Sequence, residues 1–544
     1  MKRKIILAAL ALGIGFALWG IRYPLQSASA SDSLSGGARP LSSTLSPGVY
    51  FQQFHLTTGG RPVDFFVVRM ARDEASLTLD TVIADGSLTA GRESVAQMAA
   101  RADGALNAWG GAPGGRNRVL AAVNGYYFDL QSGRPWRGVV QSNWYAQRFD
   151  EVESGSGFVW TLDGRAFVGG CVHHQPGRQS VAFEDTGAVL RFQDINVPRP
   201  DDALVLYTWH FGARTGTNAD GLEVLVELDA PLGIAPAGSD ERVGGVIRAT
   251  SNHQGNSALP YGYVVLSAHG KAHRQLLEAA KIGERVSFHQ EVTHLESDCS
   301  TPNADDWGGA YAAIGGDYVL LRDGQVQDIT RPEALQRNAR TAVAYNDAFV
   351  FLVVADGWNP GVSEGVTIRQ LGLFLRDVLG ATDGITLDSG GSATMWVDSR
   401  VVNNTYCNFT HHCGPDGEPG ADGVYPRLNP LVGTALAVIA VQPKERSLTF
   451  VRGEQITTRR LSALFQGPGW NFARLDVLPA GDSGVILPTQ MHLGGLRAEN
   501  AYWWRVRFGA QEGWIPEHFL EGGVLPARDV DGQSGATARW LDMR

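Results

Sequence analysis

A single carboxylate followed by a run of small residues marks one candidate site. In the stretch GITLDSGGSATMW, an apolar run ends at Asp388, and Ser389, Gly390, Gly391 and Ser392 follow it. Because glycine has no Cβ, a ligand can approach this backbone closely. Successive N–H groups in such a turn form an anion-binding nest, and serine hydroxyls add donors. The pattern predicts an anion site beside a carboxylate, and its structural alternative is a glycine-rich hairpin with an aspartate cap.

Two other stretches place polar residues where predicted strands end or begin, as in many binding sites. The stretch AAVNGYYFD ends an apolar strand at Asn124 and Gly125. The stretch RNARTAVAYN places Arg340 and Thr341 directly before another apolar strand. Arginine binds phosphate oxygens with a bidentate fork, so Arg340 is a candidate phosphate ligand. Its structural alternative is a surface ion pair.

A third stretch, FLVVADGWNPGVSEGVTI, adds two more carboxylates. A predicted buried strand runs into Asp356, and the loop that follows carries Glu364. Both are candidate site residues, because loops after strands carry function in many folds. A plain Asp-Gly turn at Asp356 and a solvated loop carboxylate at Glu364 are the structural alternatives.

Short strands separated by turns must position these residues. Runs such as RPVDFFVVRM and ASLTLDTVIA are rich in Val, Ile and Phe and alternate with Gly, Asp and Asn turns. Helical periodicity is sparser and predicts three helices, at 94–103, 271–283 and 367–380. In the third, Leu371, Phe374, Leu375 and Val378 fall on one face. We predict an α+β, β-rich catalytic domain over residues 47–442.

The N-terminus has the pattern of a secretory signal. Basic residues 2–4 precede an apolar run over 5–19, and small residues at 28–30 form a cleavage site. We predict a signal peptide over 1–30, a flexible lead-in over 31–46, and export to the periplasm or the extracellular space. An uncleaved membrane anchor is the alternative, although the run is short for a span.

Composition excludes several classes of function. With 544 residues the chain is too long for a single core, and its net charge of −10 argues against nucleic acid as a partner. Zincin and P-loop motifs are missing from the sequence. No cofactor and no resident metal are predicted.

The four cysteines fit an oxidising compartment. Cys407 and Cys413 bracket the segment CNFTHHC, which predicts a small disulfide loop. A metal site that uses the two histidines of this segment is the sharper alternative, but structural zinc sites space their cysteines more closely. Whether Cys171 pairs with Cys299 stays open.

The C-terminal part resembles the bacterial SH3-like domain over residues 450–522. The matching turns and strand ends follow in order: Gly467-Pro-Gly469, Leu478-Pro-Ala-Gly481, Trp504-Arg-Val506 and Gly513-Trp514. The resemblance implies a small all-β barrel. It is compatible with a cell-wall ligand or with a structural appendage, because fold alone does not fix a ligand. Residues 523–544 form a polar tail.

The larger domain is similar to the phosphodiester glycosidase family over about 120–440. The motifs that carry the resemblance are Asn124-Gly-Tyr-Tyr-Phe128, Tyr207-Thr208, Gly315-Gly316 with Leu320, Arg340-Thr-Ala-Val343, Asp356-Gly357, Ser363-Glu-Gly365 with Thr367, and Leu387-Asp388-Ser-Gly-Gly-Ser392. The sequence departs from the family pattern at Ala344, Thr386, Ser389 and Trp358. The departure at Trp358, where the family often has arginine, puts one phosphate contact in question.

The resemblance implies an exported hydrolase that cleaves a sugar-1-phosphodiester in envelope or exopolysaccharide material, with an N-acetylhexosamine-like sugar. Asp388 and Glu364 would be the acidic pair, since glycosidases usually use two carboxylates. Residues predicted to bind substrate are Asn124, Gly125, Tyr207, Arg340, Thr341, Asp356, Ser389, Gly390, Gly391 and Ser392. Two alternatives stay open: a non-catalytic glycan-binding envelope protein, and a metal-assisted phosphodiesterase with Asp383, Asp388 and His210 as ligands.

Overall fold

A computed structural model of the chain describes residues 34–35, 40–149, 157–170, 172–294, 307–405 and 429–522. Strands dominate these residues, which confirms the β-rich class. The four α-helices in the described part are Val95–Ala102, Gly270–Ala279, Pro332–Leu335 and Ile368–Asp377. None of the described helices is long and apolar enough to cross a membrane.

The three predicted helices all form. The first and third begin after Ser94 and Thr367, each of which caps the helix with its hydroxyl in a capping box. The second ends at Ala279, earlier than predicted, because Gly283 lies in a separate turn with φ +90°. On the third helix the predicted apolar face is buried except at Val378, which is 38% exposed because the helix ends just before it.

The largest sheet, called the central sheet below, has nine strands in the described residues. In spatial order they are Leu34–Ser35, Val49–Thr58, Arg61–Ala71, Phe349–Ala355, Arg340–Tyr345, Asp383–Thr386, Val319–Arg322 and Gln325–Val326, with Leu41–Ser46 paired to Val49–Thr58. The helix Ile368–Asp377 packs on one face, where Phe374 stacks on Phe65. The predicted lead-in is therefore corrected at its end, because Leu41–Ser46 is a paired strand.

Two smaller sheets close the core on the other face of the central sheet. The six-stranded sheet contains Arg400–Val401, Met395–Val397, Gly115–Asn124, Thr434–Gln442 and Leu77–Ile83, with Leu106–Asn107 at its edge. The five-stranded sheet contains Trp144–Gln147, Val139–Gln141, Ala310–Gly315, Gly157–Thr161 and Ala166–Gly169. Val123, Ile314 and Leu352 come from the three sheets and share one buried cluster. Burial of this apolar surface fixes how the sheets meet.

The middle of the chain forms a further eight-stranded sheet. Its strands are, in spatial order, Val189–Arg191, Ser180–Phe183, Arg285–His289, Val243–Asn252, Leu222–Leu228, Tyr263–Ala268, Leu204–Thr208 and Asp194–Ile195. Two short ladders pair Val172–His173 with Thr293–His294 and Leu431–Val432 with Glu93–Ser94. The helix Gly270–Ala279 covers part of this sheet.

The last described residues form an all-β unit, and its assignment as an SH3-like domain stays a prediction. Its strands are Arg474–Leu478, Ser462–Phe465, Gln511–Pro516, Ala501–Phe508, Ser483–Ile486, Gln455–Thr458 and Leu520–Gly522, with Leu496–Ala498 paired to Ala501–Phe508. Besides its own core, the unit places Trp503 and Trp514 in the buried cluster of the middle sheet. Arg505 joins this contact through an ion pair with Glu227, and both side chains are almost fully buried. The unit is therefore packed tightly on the rest of the chain.

Several sequence predictions fall outside the described residues. They are the signal peptide over 1–30, the tail over 523–544 and the disulfide between Cys407 and Cys413. All of them stay predictions, and whether Cys171 pairs with Cys299 stays open.

Candidate active site

Five strand ends meet where the three core sheets come together. The strands Gly115–Asn124, Ala310–Gly315, Arg340–Tyr345, Phe349–Ala355 and Asp383–Thr386 all begin or end there. Backbone hydrogen bonds join the loops that extend them, from Asp388 N–H to Gly125 O and from Asp317 N–H to Thr386 O. Because the strands come from three sheets, loops distant in sequence face each other here.

Asn124 is the hub that fixes the loop of Asp388. Its amide nitrogen donates to the carbonyls of Asp388 (2.9 Å) and Gly125 (3.2 Å). Its oxygen accepts from the Thr341 hydroxyl (2.7 Å) and the Thr394 N–H (3.0 Å). The side chain is fully buried, and both donors and both lone pairs are occupied. The predicted contacts of Asn124 and Thr341 to a sugar are therefore corrected, since the structure gives both residues a positioning role.

Replacing Asn124 with alanine should destabilise the protein and disorder the site together. The change removes four hydrogen bonds and leaves a buried carbonyl and N–H unpaired, at a cost of about 2–4 kcal/mol in unfolding free energy. Asn117→Ala on the same strand is the matched control, because Asn117 accepts a single bond from Asn107. Urea unfolding of both variants measures the difference. Equal losses of stability would contradict the hub role.

Gly125 allows the close approach on which this hub depends. A Cβ at this position would lie 2.1 Å from the Thr434 hydroxyl and 2.7 Å from Ile314. Its predicted role in substrate binding is therefore better described as packing, since only a residue without a side chain fits there.

Asp388 is a buried residue of the site, and its pKa is raised. Its carboxylate accepts a hydrogen bond from the Ser389 N–H (2.7 Å) and one from the Ser392 hydroxyl. Burial, with a smaller contribution from the nearby charge of Asp317, nevertheless raises the pKa of Asp388 to about 7, and these two hydrogen bonds oppose the shift. A carboxyl group that titrates near neutral pH can act as a general acid.

Asp317 is the second carboxylate of the site, and the sequence analysis did not single it out. It follows Gly315 and Gly316 at the end of a buried strand and is half-buried. Within the described residues its carboxylate makes neither a hydrogen bond nor an ion pair, so its oxygens remain available for water or substrate. Burial raises the pKa of Asp317, and the charges of Arg331, Arg137 and Arg340 oppose that shift.

Glu364 occupies a different place from the one predicted. Its carboxylate pairs with Arg61 at 2.9 Å and accepts from the Gly361 N–H at 3.3 Å. The Arg61 side chain is 60% exposed, so this is a surface ion pair on the outer side of the loop. The negative charge of Asp317 lies close enough to raise the pKa of Asp388. We therefore replace Glu364 with Asp317 as the second carboxylate.

Arg340 and Tyr127 complete the polar lining. Backbone carbonyls hold the Arg340 guanidinium: Nη2 donates to Glu333 O (2.7 Å) and to Gln336 O (3.0 Å). Nη1 has no acceptor among the described residues, which leaves this donor for a ligand. Burial and the charges of Asp388 and Asp317 raise the pKa of Tyr127, so its phenol is a hydrogen-bond donor at neutral pH.

The predicted nest is partly occupied by the protein itself. The Ser389 N–H donates to Asp388 and the Gly390 N–H donates to Ala339 O at 2.9 Å. Gly390 adopts φ +71°, the left-handed conformation that glycine favours. The Gly391 N–H and the Ser389 hydroxyl remain as candidate donors, so the nest is narrower than the four residues predicted.

Two predicted ligands lie away from the carboxylate pair. Asp356 is 1% exposed, and its oxygens accept from the side chain of Asn403 (3.0 Å) and the N–H of Asn404 (2.9 Å). Asn403 in turn binds the backbone of Ala393, so Asp356 supports the segment behind Asp388. Tyr207 lies fully buried in an apolar cluster of the middle sheet. The predicted substrate contacts of Asp356 and Tyr207 are therefore corrected to structural roles.

The proposed metal ligands do not come together. His210 is fully buried against Trp144 and Trp209, and burial lowers its pKa to about 3. Asp383 accepts from the Asp323 N–H at the other end of its strand. Over the described ranges, no group of three or more His, Cys, Asp or Glu side chains could hold a metal ion.

A family comparison adds to this geometry. Residues 241–413 match the family model of the phosphodiester glycosidases. The matched part contains Asp317, Arg340 and Asp388, whereas Asn124 and Tyr127 precede it. It is shorter than the resemblance seen in the sequence, and it supports a glycosidase role for this part of the chain. No curated protein matches the chain.

Three solved structures resemble the chain at low identity. A hypothetical protein from Synechocystis is 14% identical with a TM-score of 0.46, and the match covers 74% of this chain and 64% of that protein. A candidate exported protein from Burkholderia pseudomallei is 18% identical with a TM-score of 0.44, covering 71% and 75%. The auto-inhibited catalytic domain of zebrafish N-acetylglucosamine-1-phosphodiester alpha-N-acetylglucosaminidase is 15% identical with a TM-score of 0.33, covering 77% and 87%.

Proposed function

We propose that this protein is an exported glycosidase that hydrolyses a sugar-1-phosphodiester, with an N-acetylhexosamine-like sugar, in envelope or exopolysaccharide material. One observation carries the proposal: backbone hydrogen bonds from Asp388 to Gly125, from Asp317 to Thr386 and from Leu387 to Thr341 join the four segments that carry Asp388, Asp317, Arg340 and Tyr127. The charges of these side chains act on one another. A pair of carboxylates beside an arginine fits a bond between an anomeric carbon and a phosphate. The family match over 241–413 points to the same chemistry.

The two carboxylates have different environments, which gives them different roles. Asp388 is buried and titrates near pH 7, so it is the general acid that donates a proton to the departing phosphate oxygen. Asp317 is less buried than Asp388, so it is the carboxylate that stabilises the positive anomeric carbon and accepts the proton of the attacking water. Water forms the new C–O bond, the old C–O bond breaks, and the phosphate leaves as a monoester.

Arg340 and Tyr127 would bind the phosphate. The free Nη1 donor of Arg340 is held in place by the two carbonyl contacts of Nη2, so little side-chain entropy is lost on binding. The Tyr127 phenol donates from the opposite segment. Together they would neutralise the phosphate oxygens as the bond to the sugar breaks.

The rate of hydrolysis should depend on the protonated form of Asp388. We expect kcat/KM to fall about tenfold per pH unit above pH 7, where this carboxyl ionises. The acidic limb should lie above pH 3.8, because the pKa of Asp317 is also raised. A rate profile recorded between pH 4 and 9 checks this prediction. A rate that rises through pH 7 would contradict the assignment of Asp388 as the acid.

The proposal is tested by incubating the purified protein with a panel of sugar-1-phosphodiesters and identifying the products. Free sugar together with a phosphomonoester on the other fragment supports a glycosidase. Release of sugar-1-phosphate would move the reaction to phosphorus and overturn the proposal. No release by a folded protein would favour glycan binding without turnover.

A further inference from the structure

Two partly or largely exposed indole rings lie against residues of the site, one beside Tyr127 and one beside Gly390. Trp136 is 67% exposed and Trp358 is 36% exposed, and they belong to different loops. Large aromatic side chains are costly to leave in water, and a flat apolar ring at a polar site is typical of a surface that stacks on a ligand. Neither residue takes part in the proposed chemistry.

Trp136 packs against Tyr127, one of the residues that line the candidate site. Its ring stacks on that of Tyr127 with 6.1 Å between centroids and 28° between planes. The Trp136 N–H donates to Tyr127 O at 2.9 Å, which fixes the backbone of the loop. The indole is therefore held in one orientation while its outer face stays open.

Trp358 lies against Gly390, in the turn that follows Asp388. A Cβ on Gly390 would lie 3.1 Å from the ring of Trp358, so the indole rests on the turn that follows Asp388. Trp358 has φ +58°, a left-handed conformation that is strained for a bulky residue. Strained residues of this kind persist where the surroundings hold them, and they concentrate at ligand sites.

We propose that the site takes an extended anionic glycan, a chain of repeating sugar-phosphate units, with pyranose rings stacked on Trp136 and Trp358 on either side of the bond that is cleaved. This inference rests on the proposed function and names its substrate class. A pyranose has an apolar C–H face that matches an indole ring, and two indoles on separate loops offer a stacking position to each of two sugar rings.

Further cations beside the site suit the charge of such a chain. The Arg137 guanidinium lies 5.8 Å from the Tyr126 ring centroid, and the Arg331 guanidinium lies 6.0 Å from that of Tyr318. Both belong to the set of charges that acts on Asp317. The protein as a whole carries a net charge of −10, so arginines gathered at one site attract an anionic polymer locally.

The test compares a minimal substrate with a longer one made of the same unit. Both are synthetic: a methyl N-acetylhexosamine-1-phosphodiester and an oligomer of several phosphodiester-linked units. Trp136→Ala and Trp358→Ala should each lower kcat/KM on the oligomer by about fivefold. The methyl diester has one sugar ring, which can stack on only one of the two indoles, so one of the variants should lose clearly more on the oligomer than on the methyl diester. Trp470→Ala is the control, because Trp470 is 43% exposed on the C-terminal unit.

Binding to the Asp388→Asn protein gives a second readout that needs no turnover. Affinity should rise with the number of units, and the tryptophan variant that loses more on the oligomer should remove that rise. Equal losses on both substrates in both variants, or affinity that does not depend on length, would overturn the inference while hydrolysis of the methyl diester still upheld the proposed function. Failure to cleave either substrate would count against the proposed function, and length-independent binding would then overturn the inference as well.

Discussion

Replacing Asp388 with asparagine is expected to lower kcat by about three orders of magnitude and to leave the protein folded. Asparagine keeps an oxygen for the Ser389 N–H but cannot donate the proton that the departing phosphate needs. Steady-state hydrolysis of a sugar-1-phosphodiester measures the loss. The matched control is Asp398→Asn, an exposed aspartate of the following hairpin, which should retain full activity.

The same substitution should stabilise the protein at alkaline pH. The pKa of Asp388 is raised from 3.8 to about 7, so the folded state prefers the protonated form. Stability from this group is fully present below pH 3.8 and is lost as the pH rises through 7. A shift of about three pKa units corresponds to about 4 kcal/mol. Asp388→Asn should therefore exceed the wild type in urea unfolding at pH 8 and approach it at pH 4.

Two outcomes would contradict this role of Asp388. The first is turnover within about tenfold of the wild type, which would remove the general acid from the mechanism. The second is a lower stability of Asp388→Asn than of the wild type at pH 8. That result would mean that the hydrogen bonds to the buried carboxylate stabilise its charged form more than burial destabilises it.

Replacing Asp317 with asparagine should lower kcat by at least about a hundredfold, whereas Glu364→Gln should change it by less than about threefold. Asp317 has no hydrogen-bond partner among the described residues and faces Asp388, whereas Glu364 is engaged with Arg61 at the surface. Hydrolysis rates of the two variants, measured side by side, check the prediction.

This pair of variants distinguishes the acidic pair predicted from the sequence, Asp388 with Glu364, from the pair of Asp388 with Asp317. A large loss with Glu364→Gln and a small one with Asp317→Asn would restore the original assignment. Asp317→Asn should also lower the pKa of Asp388, because it removes a nearby negative charge. The alkaline limb of the rate profile should then move to lower pH in any activity that remains.

The placement of Asp388 and Arg340 at strand ends was predictable because each lies where a local pattern ends. Asp388 and Arg340 adjoin apolar runs whose hydrophobic pattern indicates a strand, and loops at strand ends carry sites. The capping boxes at Ser94 and Thr367 set two helix starts that the sequence places correctly. Local chemistry is sufficient for features of this kind.

The partners of those residues were not predictable, because they depend on contacts far apart in sequence. Asn124 bonds to Thr341, Asp388 and Thr394 across two sheets, and no local signal shows that all four of its hydrogen-bonding positions are used. Asp317 directly follows a Gly-Gly pair that the family motif contains, and this was the available signal for it. Glu364 had the same local appearance, but the fold turns its side chain toward Arg61.

The packing of the C-terminal unit on the rest of the chain could not be predicted from the sequence either. A polar segment near residue 442 indicates a linker and a separate domain, yet the Gln466 side chain donates to the carbonyls of Gly212 (2.7 Å) and Leu259 (2.6 Å) in the middle of the chain. Together with the buried pair of Arg505 and Glu227, these bonds join the two parts. Side-chain pairing across an interface leaves no periodic pattern in either segment.

Hydrolysis in ¹⁸O-labelled water tests the central claim most directly. The protein is incubated with a sugar-1-phosphodiester that it cleaves, and mass spectrometry locates the label in the products. Because water attacks the anomeric carbon in the proposed reaction, we expect the label in the released sugar and none in the phosphomonoester. Label in the phosphate would show cleavage at phosphorus and would contradict a glycosidase built on Asp388 and Asp317.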